Sequence, residues 1–249
     1  MRKILFLGGA YSQVPAIRRA KEMGYYVITA DYLPSNPGHQ ISDEYHNVST
    51  TDREAILHLA KSLDINGIIP YASDPAAPVA AYVANKLGLP TSPLKSIEIL
   101  GIKHLWDEFL KENNFYTPQF QSGSSIEEFQ LTEIPFPVIV KPVDSSGSKG
   151  VRKIENMEEF PSAFDYAKKY SRNGIIIVEE FIEMVGFLVA GDGFFGIDKL
   201  EYMAFGDGYV NHEINPLVPT GISFPAILGS SVKKKIIKEI ERALSLLKV

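Results

Sequence analysis

Apolar runs and amphipathic stretches alternate from the first residues of the chain. Lys3–Leu7 is a short apolar run that enters Gly8-Gly9, which predicts a strand followed by a tight turn. Val14–Gly24 then carries Val14, Ile17, Ala20 and Met23 at helical spacing, with Gly24 as a stop, and Tyr26–Ala30 is a second strand ending at Asp31. The alternation continues with a helix over Arg53–Leu63, a strand over Gly67–Pro70 and a helix over Ala76–Leu87 closed by Gly88. Strands separated by helices of this length predict βαβ units on a parallel sheet, so residues 1–92 read as a Rossmann-like α/β domain. Pro90–Pro93 is the exit, and 93–117 reads as a link of two helices, Ser96–Ile102 and Lys103–Asn113.

The pattern changes in the second half. Val138, Ile139 and Val140 form a β-branched run that ends at Lys141, a charge that needs a partner there. Pro142 bars a helix, SSGSKG supplies small and polar residues, and Val151 and Ile154 resume an extended pattern, so Phe136–Ile154 reads as a hairpin. A short helix over Ile126–Phe129 precedes it. An amphipathic helix over Met157–Tyr170, with Phe160, Phe164 and Ala167 on one face, and a strand over Gly174–Val178 follow. Beyond Glu183, strands are expected at Phe187–Ala190, Phe194–Ile197 and Leu200–Phe205. Gly191-Asp192-Gly193 and Gly206-Asp207-Gly208 read as hairpin turns, which makes Asp192 and Asp207 turn residues. The final helix, Ser231–Leu247, has an apolar stripe of Ile236, Ile237, Ile240, Ala243, Leu244 and Leu247 that must rest on a sheet.

Composition narrows the classes. The 249 residues suffice for two small domains, and 45% hydrophobic with 22% charged residues is ordinary for a globular chain. A net charge of −5 gives no electrostatic case for nucleic acid or an anionic membrane as partner. The absence of cysteine excludes disulfides and thiolate metal sites, and no apolar run spans a bilayer, which together read as a cytoplasmic protein.

Candidate chemistry gathers at three places. The first turn reads GGAYSQ rather than GxGxxG, so Gly8 and Gly9 mark either a small-molecule crevice or a turn that lets strand and helix pack closely. Asp31 stands roughly where a ribose-binding acid would. Asp74 lies at the carboxyl end of a parallel strand, where it caps the next helix or touches a substrate. His39, Asp43 and His46 fall in a loop between elements at a spacing that makes no convincing metal site. The tip of the Phe136–Ile154 hairpin offers backbone N–H groups, hydroxyls and ammonium groups, an inventory suited to phosphate oxygens and equally that of an ordinary polar loop. It is not a Walker A loop, because GxxxxGK[ST] is absent and a strand follows.

The order of these parts resembles the ATP-grasp superfamily, in particular the branch holding carbamoyl-phosphate synthase large subunits and carboxylate–amine ligases. It runs from a Rossmann-like domain through a lysine in a linking helix to strand-Lys-Pro with a serine-glycine loop, then to an amphipathic helix and a strand ending in VEEFIE. The resemblance implies a pre-ATP-grasp domain over 1–92, a nucleotide-clamping subdomain over 118–182 and a partial C-terminal subdomain over 183–249. It implies Lys103 and Lys141 on the phosphates of ATP, Ser146, Gly147 and Ser148 in a mobile loop, and Glu180 with the backbone of Phe181 and Ile182 at the adenine, while Glu179 reads as a solvated strand end. The reaction implied joins a small-molecule carboxylate to an amine through an acyl phosphate, with Mg2+, in a homo-oligomer or with a partner chain that completes the domain.

The chain departs from the family in two ways. No acid follows EEFIE where ribose hydroxyls are usually held: the residues are Met184-Val185-Gly186-Phe187. The late Glu-x-Asn-Pro-Arg metal motif has only a look-alike, His212-Glu213-Ile214-Asn215-Pro216, with Leu217 where arginine belongs, so the domain reads as incomplete before its metal strands. The alternatives are a non-catalytic nucleotide-binding module or split subunit without the magnesium site, and a metal-independent binder that uses only the crevice near Gly8, Gly9 and Asp74.

Overall fold

The computed structural model describes residues 1–196, 199–211 and 215–249. It divides into two compact units, Met1–Gly101 and Ile102–Val249. In the first, β1 (Lys3–Leu7), α1 (Val14–Glu22), β2 (Tyr26–Ala30), α2 (Pro37–Ile41), β3 (Glu44–His46), α3 (Arg53–Leu63), β4 (Gly67–Ile69), α4 (Ala77–Leu87) and α5 (Leu94–Gly101) follow in order. The four strands form one parallel sheet in the order β3-β2-β1-β4.

The register explains why these strands are apolar throughout. Leu5 pairs with Ile28 and Leu7 with Ala30, and all four join a core with Ile56, Ala60, Val79 and Val83 of α3 and α4. Phe6 and Val27 point the other way into a second core with Ile17 and Ala20 of α1. A sheet covered on both faces needs apolar residues at every position, and a one-residue slip would exchange the two cores. Asp52 caps α3 by accepting from Ala55 N (3.0 Å), and Gly88 ends α4 in the left-handed region at φ +67°.

The segment expected to be a loop around His39 and His46 instead contains α2 and β3. Its strand is a three-residue edge of polar composition, Glu-Tyr-His, and its position depends on side chains that periodicity does not report. Asp43 accepts from Val27 N (2.8 Å) and from Lys21 Nζ (2.5 Å), which docks the strand on β2.

The second unit contains α6 (Lys103–Glu112), β5 (Phe120–Gly123), β6 (Val138–Pro142), β7 (Arg152–Ile154), α7 (Phe160–Lys168), β8 (Ile176–Glu180), β9 (Leu188–Phe195), β10 (Leu200–Asn211), β11 (Asn215–Ser223) and α8 (Ser230–Leu247). β5-β8-β6-β7 form one antiparallel sheet and β11-β10-β9 another. The first sheet buries Val138, Val140, Ile154, Ile176 and Val178 against Phe160, Ala163, Phe164 and Ala167 of α7. Phe129, Phe160 and Phe164 meet edge to face at 5.3 to 6.0 Å. The expected helix at Ile126–Phe129 is a 3-10 turn over Ile126–Glu128, opened by a reciprocal Ser125–Glu128 capping box and ended by the extended backbone of Phe129.

The second sheet corrects the turn assignments. Gly191-Asp192-Gly193 lies inside β9, which is continuous from Leu188 to Phe195, and Gly206-Asp207-Gly208 lies inside β10. The glycines serve close packing rather than turning. A Cβ on Gly191 would stand 2.7 Å from Ala204 O, and one on Gly206 would stand 2.5 Å from Ile222 Cγ2. Asp207 is buried and accepts from Ile227 N at 2.8 Å. The expected strand at Phe194–Ile197 extends in part into residues outside those described, as does most of the His212–Pro216 look-alike.

α8 rests on this sheet as its stripe requires, with Ala243 and Leu247 buried and Ile236, Ile237, Ile240 and Leu244 half-buried. Glu241 accepts from Leu200 N (3.2 Å), and the Arg242 guanidinium lies 3.5 Å from the centre of the Phe115 ring while donating to Asn113 O (3.1 Å). Among the described residues no helix is long and apolar enough to cross a membrane. Phe160→Ala, which removes the ring shared by Phe129 and Phe164, is expected to cost about 3–5 kcal/mol in a urea titration. The same titration on Val232→Ala, at an exposed position of α8, should move by less than about 0.5 kcal/mol.

Candidate functional site

In the first unit, Gly8 takes φ +116° and Gly9 lies so close to His39 that a Cβ would enter its ring. Gly38 N donates to Gly9 O at 2.7 Å. Gln13 is buried and donates to Tyr71 O (2.9 Å) and Ala72 O (3.3 Å), so one side chain ties the loop after β1 to the loop after β4. That tie was not foreseen, because a glutamine in a GGAYSQ turn gives no sequence sign of its direction. Asp74 opens a 3-10 turn over Asp74–Ala76 and is not the cap of α4, whose N-cap is Ala76 without a side-chain bond. The proline at 75 and the extra turn displace the helix start.

Asp31 is a turn residue, accepting from Leu33 N (3.0 Å) and Asn36 Nδ2 (2.9 Å). His39 bonds Thr29 Oγ1 at 2.8 Å, and its burial depresses its basicity; His46 bonds Glu44 at 2.7 Å. These groups are each committed locally, and among the described residues no cluster of three His, Asp or Glu side chains could hold a metal.

In the second unit, charge converges on one sheet face. Ile139 pairs with Glu179 and Lys141 with Ile177, so Lys141 and Glu179 lie diagonally on the face that α7 does not cover. Lys141 Nζ stands 2.6 Å from Glu179 Oε2, with the two side chains only 21% and 12% exposed. Glu179 is therefore no solvated strand end. Glu180 pairs with Val138 and belongs to the opposite face, where its carboxylate accepts from Gln119 N at 3.3 Å. The two-residue period of a strand separates two adjacent acids that look equivalent in sequence.

Lys103 is the first residue of α6; its N–H donates to Val143 O (3.0 Å) and its Nζ to Ser145 O (2.7 Å). The serine-glycine loop is thus anchored at its entry by the very lysine expected near it. Ser146 and Gly147 are exposed, and Gly147, Ser148 and Gly150 all have positive φ, at +68°, +56° and +76°. Ser148 Oγ donates to Leu217 O (2.8 Å), which links the loop to β11. Phe181 commits its N–H to Pro137 O (3.1 Å) and lies under Lys153 Nζ at 4.4 Å, while Ile182 is half exposed.

One residue of this site went unforeseen. Asp107 stands one helical turn after Lys103 on α6 and is 8% exposed, with Oδ2 buried and without a hydrogen-bond partner among the described residues. Burial and the negative charge of Glu179 push its carboxyl up to about 7, against the pull of Lys141 and Lys103. The i,i+4 spacing from Lys103 was available in the sequence, but an aspartate beside Trp106 and Glu108 carries no mark of burial.

A family model described as the D-ala D-ala ligase C-terminus matches residues 106–247. The chain belongs to this ATP-grasp family. The formate-dependent phosphoribosylglycinamide formyltransferase of Prochlorococcus marinus is 28% identical over 187 residues, 73% of this chain and 48% of that protein. Two solved structures share the fold. The L-amino acid ligase of Bacillus licheniformis has a TM-score of 0.75 at 21% identity, covering 100% of this chain and 61% of that one. The N5-carboxyaminoimidazole synthetase of Staphylococcus aureus, solved with ADP, has a TM-score of 0.78 at 15% identity, covering 98% and 63%. The ATP-grasp chain spans about half the length of the curated relatives it matches. Its relation to the carbamoyl-phosphate synthase branch is coarse at most.

Asp107 makes a stability prediction for this ATP-grasp chain. A carboxyl raised to about 7 in the folded state and ionising near about 3.9 when unfolded binds its proton more tightly when folded. Folding stability is then lost as pH rises between those values and is flat above them. Asp107→Asn, which is neutral at every pH, should gain roughly 1–3 kcal/mol over the unsubstituted protein on going from about pH 4 to about pH 8. Denaturant titrations at both pH values giving the same difference would contradict the assignment.

Proposed function

We propose that the second unit holds an adenine nucleotide, and that the protein is an ATP-dependent carboxylate–amine ligase working through an acyl phosphate. The observation that carries this reading is the convergence of Lys103, Lys141 and the Ser145–Gly150 loop within a chain of the ATP-grasp family. Lys103 and Lys141 would meet the phosphate oxygens, and the loop adds N–H groups of successive left-handed residues and the hydroxyls of Ser146 and Ser148. On adenine, the half-exposed Ile182 supplies an apolar wall and the strand end after Glu180 supplies backbone groups.

The geometry favours Glu179 over Glu180 as the acid beside Lys141, because Glu179 shares its sheet face and pairs with it while Glu180 lies on the opposite face. The chemistry this requires of the chain is positioning and charge neutralisation. Ammonium groups stabilise charge on the transferring phosphoryl group, and a closed loop keeps water from an acyl phosphate. Family relatives include a protein solved with MgADP. Among the described residues no three His, Cys, Asp or Glu side chains gather into a metal-binding group, and no step is assigned to a metal. Gly8, Gly9 and Asp74 remain the proposed lining of a substrate crevice in the first unit.

Calorimetry with ADP tests the nucleotide reading directly. Lys141→Ala is expected to weaken ADP binding by roughly ten- to a hundredfold, the value of a charge-assisted hydrogen bond. Phosphate release from ATP that requires both a carboxylate and an amine supports the ligase reading. Binding without such turnover leaves a nucleotide-binding module, and no binding rejects both.

A further inference from the structure

On the nucleotide reading above, on which this inference rests, the Ser145–Gly150 loop must present its N–H groups and hydroxyls together, which requires both of its ends to be fixed. Its entry holds an acid that the reading does not use. Asp144 directly precedes the loop, where a bare carboxylate would repel phosphate oxygens. Its charge is engaged instead by the turn between α7 and β8. Arg172 N donates to Asp144 Oδ1 and Oδ2 at 3.1 and 3.0 Å, and Asn173 N donates to Oδ2 at 2.9 Å. The Arg172 guanidinium completes the clamp by donating from Nη1 to Asp144 O at 2.9 Å.

The same turn meets the exit of the loop. Gly150 is buried at φ +76°, and a Cβ there would stand 3.0 Å from Tyr170 Cβ and 3.1 Å from Pro142 Cδ. Backbone conformation and close approach both select glycine at that position. The turn is itself braced, since Asn173 Oδ1 accepts from Ile175 N (3.0 Å) and Ser171 Oγ donates to Ile175 O (3.1 Å). One turn therefore touches both ends of the loop. The bond from Lys103 Nζ to Ser145 O engages a cation that a phosphate would draw off, whereas the contacts of this turn use no group assigned to the nucleotide.

We propose that the turn between α7 and β8 is the seat of the phosphate loop. Asp144 and Arg172 are positioning residues that fix the loop's entry even when Lys103 has turned to a phosphate, and Tyr170 against Gly150 fixes its exit. Neither Asp144 nor Arg172 touches the nucleotide; both act through the loop. The sign of one substitution separates this role from simple electrostatics. Asp144→Ala removes a negative charge beside the loop, which by charge alone would tighten ADP binding. Loss of the seat should instead weaken ADP binding by roughly tenfold in calorimetry, because the loop must then be ordered at the expense of binding. Asp144→Asn keeps one acceptor oxygen and should recover part of that loss.

If Asp144→Ala fails to fold, Arg172→Ala gives the answer, since Arg172 is exposed and its removal should leave the urea midpoint in place. Amide hydrogen exchange of residues 146–150 in the ligand-free variant should quicken by roughly threefold or more, together with a weaker hold on ADP. An Arg172 that acted by charge alone would weaken ADP binding and leave that exchange unchanged. ADP bound by Asp144→Ala as tightly as by the unsubstituted protein, or more tightly, overturns this inference and leaves the nucleotide reading intact, as does unchanged loop exchange in Arg172→Ala. Absence of ADP binding by the unsubstituted protein overturns the nucleotide reading and this inference with it.

Discussion

A lysine and a glutamate placed diagonally across two neighbouring strands organise the second unit. Lys141 and Glu179 stand 2.6 Å apart on the face of the β5-β8-β6-β7 sheet that its helix leaves open. A largely buried ion pair contributes little net stability, because desolvation offsets most of its attraction, whereas one partner left alone would be strongly destabilising. The pair fixes an ammonium group in place, where an anion that binds it better could compete with Glu179. The opposite face of the same sheet makes that possible: Val138, Val140 and Val178 lock the strands onto Phe160 and Phe164, so the register that puts Lys141 beside Glu179 is set by the apolar core.

The strands and helices that carry the site were readable because their periodicity is strong. Lys3–Leu7, Tyr26–Ala30 and Arg53–Leu63 come out with the same bounds in sequence and structure. The Lys141 strand, its serine-glycine loop and the returning strand were readable for the same reason. What sequence could not report was facing. Glu179 and Glu180 are chemically identical neighbours, and only pairing with β6 decides which of them shares a face with Lys141. Asp107 was hidden for a related reason, since a helix of mixed composition does not announce which polar residue turns inward.

The glycine-aspartate-glycine segments show a different limit. Such triplets favour turns through the freedom of glycine, but the same absence of a side chain lets two strands and their neighbours approach. At Gly206 the neighbour is Ile222, and at Gly191 it is the Ala204 carbonyl. Local propensity and tertiary packing both select glycine there, and packing decides the outcome. Asp207 then becomes a buried acceptor for Ile227 N instead of a turn residue.

The loop from Ser145 to Gly150 brings these constraints together. Among the described residues, Ser148 Oγ bonds Leu217 O, and Lys103 Nζ bonds Ser145 O. The first is neutral and worth about 1 kcal/mol, and the second engages a charge that a phosphate would satisfy better. Any anion that draws Lys103 away therefore weakens the loop's anchor to α6 at the moment it offers the loop's own N–H groups a stronger acceptor. Loop and anion compete for one ammonium and cooperate through the backbone. Gly147, Ser148 and Gly150 hold left-handed conformations, which suit glycine and cost a residue with a side chain. A loop of ordinary residues would have to adopt that strain on binding; this one already carries it.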